Sequence, residues 1–266
     1  SLTYTTGINP GDTASITLPT QVVSSTLVYD ILFYTKEPNG MADQFALDDT
    51  LSLLGLQTGL SGIVTVDPNI APSVTNFVSF ADLTTVLGNY GVCGAVTVNV
   101  ANGVYLEPLE IDGIVGANAT NTLTIDGGDS SLTIISEDGT NSFAALTINN
   151  VDYVTIRNIS FDYTGATGSG AILAGANNIE ITNCQFDVDN NSTSSLLYGI
   201  SLSGASASHT TGAQTDNVTF RDNLVKGGYY GLRAYAAVGD PVNNLIIENN
   251  VFDQAYYYGT YLYYVD

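Results

Sequence analysis

The chain has 266 residues, with 26 Asp and Glu against 5 Lys and Arg, for a net charge of −21. Such a surface repels a phosphate backbone, which excludes nucleic-acid binding, and it disfavours an anionic membrane surface; no apolar run approaches the ~18–20 residues of a membrane span. Hydrophobic residues make up 44% of the chain, too much for disorder and enough for a sizeable core in one or two domains.

Composition points to an all-β protein. There are 27 Gly, 17 Tyr, one Met and no Trp. Val, Ile, Thr and Tyr suit pleated, half-buried surfaces, and Gly, Asn and Asp suit turns. Cys93 and Cys184 show no paired spacing, so they read as small buried residues rather than a disulfide framework or a zinc site.

In chain order, residues 1–70 carry the pattern of a β-sandwich. Ser15–Leu18 and Leu27–Tyr34 read as strands; in the second, Leu27, Tyr29, Ile31 and Phe33 share one face. Pro38-Asn39-Gly40 reads as a turn. The range is short for a seven-stranded sandwich, so it is expected to be partial. Next, Ser79 and Asp82 are spaced like a capping box. Phe80, Leu83, Val86 and Leu87 then form one apolar face, which predicts a helix over residues 80–89. Ala95–Val100, Leu109–Asp112, Leu123–Asp126, Leu132–Ile135 and Ala144–Ile148 read as strands of the first coils of a solenoid.

The clearest signal follows. Val154-Thr155-Ile156-Arg157-Asn158, Ile179-Glu180-Ile181-Thr182-Asn183, Val218-Thr219-Phe220-Arg221-Asp222 and Leu245-Ile246-Ile247-Glu248-Asn249 align without gaps. Each is followed by an apolar residue (Phe161, Phe186, Val225, Phe252) and by a second strand opening on Gly170, Gly199, Gly231 or Gly259. The repeats start at 154, 179, 218 and 245, and about 25 residues make one turn of a parallel β-helix. One coil cannot bury its inward face alone, whereas coils stacked about 4.8 Å apart pair every strand with its neighbours. Alternation puts 154, 156, 161, 171 and 173 inside. The Asn/Asp column at 158, 183, 222 and 249 is placed at a turn, its side chains satisfying backbone donors. The extra residues within 187–215 are expected to loop outward. The helix is expected to cover the open end, where bare strand edges invite aggregation. Residue 1 is Ser and Tyr261–Asp266 stops within a strand, so a longer polypeptide is expected, with the solenoid of 71–266 truncated at its C-terminal end.

Phe80-Ala81-Asp82-Leu83, Tyr90-Gly91-Val92-Cys93-Gly94-Ala95-Val96-Thr97-Val98-Asn99-Val100, Gly103-Val104-Tyr105-Leu106-Glu107 and Ile114–Ile125 resemble the opening of right-handed parallel β-helix domains in large secreted proteins of the Bacteroidetes. Tyr29-Asp30-Ile31, Tyr34-Thr35, Pro38-Asn39-Gly40, Asp43 and Asp48-Asp49-Thr50 resemble the end of the immunoglobulin-like repeat that often precedes them. The resemblance implies export by the type IX secretion system, display on the cell surface and a role as a module of a large adhesin. It also implies O-glycosylation candidates at Thr13 and Thr50, each following Asp and preceding an apolar residue.

Tyr198, Tyr230 and Tyr258 each precede an aligned Gly and are expected to form an outward column, thickened by Tyr229, Tyr256, Tyr257, Tyr261, Tyr263 and Tyr264. Exposed amphipathic rings suit binding of glycans or proteins; equally, they can serve only to stabilise the stack. Arg233 is expected beside Tyr261 as an exposed cation–π contact. Arg157, Thr182, Arg221 and Glu248 fall in one outward column, so Arg221 and Glu248 should pair. His209 reads as a solvated loop residue. Asp187 and Asp189, and the Asp43, Asp48 and Asp49 group, are candidate calcium ligands without EF-hand spacing; no other cofactor is indicated. No repeated Asp constellation is expected on the outward columns, so a structural and adhesive module outranks a polysaccharide lyase or glycoside hydrolase, with catalytic activity left open.

Overall fold

The computed structural model describes Ser15, Thr17 and residues 28–34 and 50–266. Within them the chain winds into a parallel solenoid of three sheets. The first sheet has eight strands, running from Leu245–Glu248 through Val218–Arg221, Ile179–Thr182, Val154–Arg157, Leu123–Asp126, Val92–Val100 and Leu60–Val66 to Asn76–Phe77. The second stacks Val251–Asp253, Leu224–Lys226, Gln185–Val188, Ser160–Tyr163, Thr133–Glu137 and Gly103–Tyr105. The third stacks Tyr258–Tyr263, Tyr230–Tyr235, Leu197–Ser203, Gly168–Ala174, Ala144–Asn149 and Leu109–Asp112.

The register is the one the repeat dictates. Ile156 pairs with Ile181, Ile181 with Phe220, and Phe220 with Ile247. Phe161, Phe186, Val225 and Phe252 form the next column. Val154, Ile156, Phe161, Ala171 and Leu173 are all fully buried. The Phe161 and Phe186 rings stack at 5.2 Å, nearly parallel. The aligned glycines face inward against this aromatic column: a Cβ at Gly199 would lie 2.4 Å from Val225 Cγ1 and 2.4 Å from Gly231 O. That close approach explains why Gly opens the strand.

The turn column has a different basis from the one expected. Asn158, Asn183, Asp222 and Asn249 take φ between 53° and 60°, the left-handed region that Asn and Asp tolerate best. Their amides bond along the stack instead of capping backbone donors: Asn183 Nδ2 donates to Asn158 Oδ1 at 2.6 Å, and Asn158 Nδ2 to Asp126 Oδ1 at 2.7 Å. A second ladder, Asp152–Asn177–Asp216–Asn243, precedes the strands of the first sheet, each rung closed by a backbone N–H.

The helix spans Phe80–Tyr90 and buries Phe80, Leu83 and Leu87. Ser79 accepts from Asp82 N at 3.0 Å, as its spacing predicts. The Glu107 carboxylate accepts from Phe80 N and Ala81 N, pinning the positive helix terminus to the first coil. The helix packs against Leu109–Asp112 and Leu60–Val66, covering that end of the core.

Val28–Tyr34 pairs antiparallel with Thr50–Gln57, with a bulge between Tyr29 and Ile31. Ile31, Phe33, Leu51 and Leu53 are all exposed there. Leu60–Val66, inside the range read as the sandwich, pairs in parallel with Val92–Val100 and so belongs to the solenoid. The Pro38-Asn39-Gly40 turn and most of the Ser15–Leu18 strand lie outside the described residues, as do Thr13, Lys36, Asp43, Asp48 and Asp49. Cys184 is buried as expected, but Cys93 is exposed; both thiols are free.

Candidate binding face

The outer face of the third sheet carries the tyrosines. Tyr198, Tyr230 and Tyr258 are register partners on successive coils, as are Arg233 and Tyr261. Tyr230 lies 5.3 Å from Tyr198, stacks on Tyr261 at 5.1 Å and lies parallel to Tyr258 at 6.1 Å. Tyr229 bridges to Tyr256 and Tyr257 at 5.6 and 5.2 Å. A second group lies alongside: Tyr235 stacks on Tyr263 at 4.9 Å, and Tyr264 meets Tyr263 edge-on.

Exposure rises steeply along the column. Tyr258 is 46% exposed, whereas Tyr198 is 5% exposed and therefore not part of an open platform. The cause is the segment 204–212. Instead of looping away, it folds back over the sheet, held by Gly204 N to Thr211 O at 3.1 Å, Ala213 N to Tyr235 O at 2.7 Å and Ser203 Oγ to Thr211 O at 3.1 Å.

His209 is the underside of that cover. It is 4% exposed, a correction to the solvated residue its Ser/Thr/Gly surroundings suggest. Its ring sits 4.0 Å from Tyr198 and 4.7 Å from Phe143. Nε2 lies 3.1 Å from Gly168 O; a carbonyl only accepts, so Nε2 carries the proton and Nδ1 is a bare, buried acceptor without a partner. Burial, opposed by that hydrogen bond and reinforced by Arg233, pulls its pKa down to about 4.

Arg233 also departs from expectation. It is buried and, although in register with Tyr261, its guanidinium lies over Tyr235 at 4.5 Å and Tyr198 at 5.7 Å. Nη1 donates to the His209 carbonyl.

Charged columns occupy the other two sheets. Arg221 Nε meets Glu248 at 2.9 Å as the alignment requires, and Arg157 Nε meets Asp126 at 2.9 Å. On the second sheet Asp162, Asp187, Lys226 and Asp253 are successive register partners, contrary to the expectation of no repeated Asp constellation. Lys226 holds Asp187 at 3.6 Å. Burial pushes the Asp162 carboxyl above its usual range, Asp187 adds to the rise, and Lys226 opposes it. Asp189 accepts from Asn191 N in its own turn. Among the described residues no three His, Cys, Asp or Glu side chains gather into a group able to hold a metal ion. Thr50 is exposed at the start of its strand.

A family model for the right handed beta helix region matches residues 96–265. The chain belongs to that family. Two solved β-helix relatives align at low identity. The alginate lyase from Paenibacillus sp. str. FPU-7 is 13% identical at a TM-score of 0.45, covering 71% of this chain and 57% of its own. The pectin methylesterase PemA from Erwinia chrysanthemi is 11% identical at a TM-score of 0.43, covering 72% of this chain and 67% of its own. The chain thus spans little more than half of the alginate lyase. No curated protein matches it. No helix among the described residues is long and apolar enough to cross a membrane.

Two features of this β-helix were readable in principle. Tyr235 pairs with Tyr263 because each lies four residues past an aligned Gly. Asp162, Asp187, Lys226 and Asp253 each directly follow an aligned apolar residue. The fold-back of 204–212 carries no such signal, since its Ser, Ala and Thr residues suit an exposed loop equally well.

Proposed function

We propose that this β-helix is a non-catalytic recognition module of a secreted bacterial surface protein, binding saccharides on the tyrosine face formed by Tyr230, Tyr258 and Tyr261. The observation that carries the reading is the contiguous cluster of tyrosine rings, some stacked and some tilted, in which Tyr256, Tyr257 and Tyr258 are all exposed. Stacked tyrosines offer a flat apolar area for a sugar face and hydroxyls for its polar edge. The setting belongs to the same proposal: export by type IX secretion in a Bacteroidetes cell, a preceding immunoglobulin-like repeat, and continuation as part of a larger adhesin, with Thr13 and Thr50 as glycosylation candidates. A glycan array probed with the protein tests it. Binding that disappears in Tyr230→Ala and Tyr258→Ala is expected; binding unchanged in both variants removes the platform.

One observation favours a second reading, a carbohydrate-active enzyme. Asp162, its carboxyl raised by burial, could donate a proton, with the Asp187 carboxylate as its register partner and Lys226 3.6 Å from Asp187. Release of products from acidic or neutral glycans by the wild type, lost in Asp162→Asn, would replace the adhesive reading with this one.

A further inference from the structure

Among the described residues, the cations of this acidic chain are paired, with one exception. Arg157 holds Asp126, Arg221 holds Glu248 and Glu180, and Lys226 holds Asp187. Among the described residues, Arg233 alone forms no ion pair, although the chain carries 26 carboxylates. It is 8% exposed. A buried charge is tolerated when it is paired or hydrogen-bonded. Here the guanidinium is stabilised in part by the faces of Tyr235 and Tyr198 and by the His209 carbonyl.

A guanidinium has five N–H donors in a planar fork, and the protein satisfies only Nη1. The fully enclosed, unbonded polar atoms on this face are Ser169 Oγ, Ser201 Oγ and His209 Nδ1. None belongs to Arg233, so its remaining donors are not fully enclosed, although the residue is only 8% exposed. The guanidinium borders the tyrosine cluster through Tyr198, whose ring it overlies at 5.7 Å and which lies 5.3 Å from Tyr230.

We propose that Arg233 is the recognition group for an oxyanion, carboxylate or sulfate, borne by a saccharide whose ring lies on Tyr230, Tyr258 and Tyr261. The inference rests on the tyrosine face being a sugar platform. The fork matches a planar or tetrahedral oxyanion in a way a lysine does not. His209 and Tyr235 hold the guanidinium in place before the ligand arrives, so little side-chain freedom is lost on binding. The net charge of −21 does not forbid the contact. Repulsion from distant carboxylates is screened beyond about 8 Å at physiological ionic strength, and among the described residues no carboxylate is paired with Arg233 itself.

Calorimetric titration tests this with three probes: a uronate trisaccharide, its carboxyl-reduced neutral counterpart and a sulfated trisaccharide. At least one anionic probe is expected to bind about tenfold tighter than the neutral one, and the two anionic arms identify the oxyanion. Arg233→Gln should abolish that preference. Tyr258→Ala, at an exposed position, should weaken all three probes in parallel and keep the preference. Equal affinity for all probes in the wild type overturns the Arg233 assignment alone, as does a preference that survives Arg233→Gln. Failure to bind any probe overturns the assignment and the platform together. Should Arg233→Gln not fold, the wild-type comparison still decides.

Discussion

Cys184 and Asn223 occupy the same turn position on adjacent coils, and the Cys184 amide donates to Asn223 Oδ1 at 2.9 Å. Asn223 Nδ2 in turn donates to Ile181 O at 2.9 Å, and the Asn223 amide donates to Asn250 Oδ1 at 2.9 Å. Asn250 Nδ2 reaches back to Phe220 O at 2.8 Å, repeating the pattern one coil on. At this position one carboxamide satisfies a turn N–H of the coil before it and a strand carbonyl of the same coil, which fastens neighbouring coils by polar bonds inside an apolar column.

The first prediction follows from that ladder. Asn223 is 1% exposed, so truncation strands an amide and a carbonyl away from water. Asn223→Ala should destabilise the fold by about 1–3 kcal/mol. Cys184 is where the ladder stops: its Sγ makes only long contacts, 3.8 Å to Ile156 O and 3.4 Å to Thr182 O. Cys184→Asn should therefore continue the ladder and leave stability equal to or above the wild type. Urea denaturation of both variants checks this, and a Cys184→Asn protein as damaged as Asn223→Ala would refute the account.

The same thiol supports a second prediction. Burial drives the Cys184 pKa up to about 12, so almost no thiolate exists near neutrality. Cys93 is exposed, its Sγ 2.9 Å from Gly59 O. A thiol reagent at pH 8 should modify one cysteine in the native protein, located by peptide mapping to Cys93, and both after denaturation. Rapid native labelling of Cys184 would contradict the packing.

The third concerns the glycine column. At Gly199 an added Cβ meets Val225 Cγ1 and Gly231 O at 2.4 Å each, and both are fixed by coils on the next layer. Gly199→Ala should cost about 1–3 kcal/mol through forced displacement. Gly239→Ala makes a useful contrast for space alone, because a Cβ there meets nothing within 4 Å; its φ of 85° adds only backbone strain. A Gly199→Ala melting temperature at or above that of the wild type would show that the column does not need glycine.

These three rest on features with different visibility in the sequence. The inward columns were legible because Ile156, Ile181, Phe220 and Ile247 recur at one place in an alternating pattern, and alternation has a single physical reading once coils stack. The helix cap was legible for a local reason, Ser79 three residues before Asp82. Cys93 was misplaced because it sits in a strand where Cys and its apolar neighbours look alike, and only the pairing with the next coil settles which faces out. The candidate site was half legible. Register placed Tyr198, Tyr230 and Tyr258 in one column, but a repeat cannot reveal what covers an outer face. That depends on 204–212, which is far longer than the 175–178 connection of the preceding coil. Its course decided the burial of Tyr198, His209 and Arg233 together.

That covering segment gives the last prediction. His209 has a folded pKa of about 4 against an ordinary value of 6.5, because its ring is enclosed between Tyr198 and Phe143 beside the Arg233 charge. With the folded value depressed, the unfolded chain takes up the proton first as pH falls. The neutral ring's contribution is thus complete above about pH 6.5 and is lost progressively down to about pH 4. Below that both states are protonated and the difference stays constant. Over that window the loss amounts to about 3 kcal/mol. Carboxylates titrate in the same range, so the measurement is a difference: stability of the wild type and of His209→Gln, each at pH 7 and pH 4. Gln cannot take up a proton, so the wild type should lose more, by roughly that amount. Tyrosine fluorescence, followed in parallel, should report Tyr198 becoming accessible as 204–212 lifts. Parallel pH curves for the two proteins would mean that His209 reaches water in the folded state, and that the segment does not close over the tyrosine face.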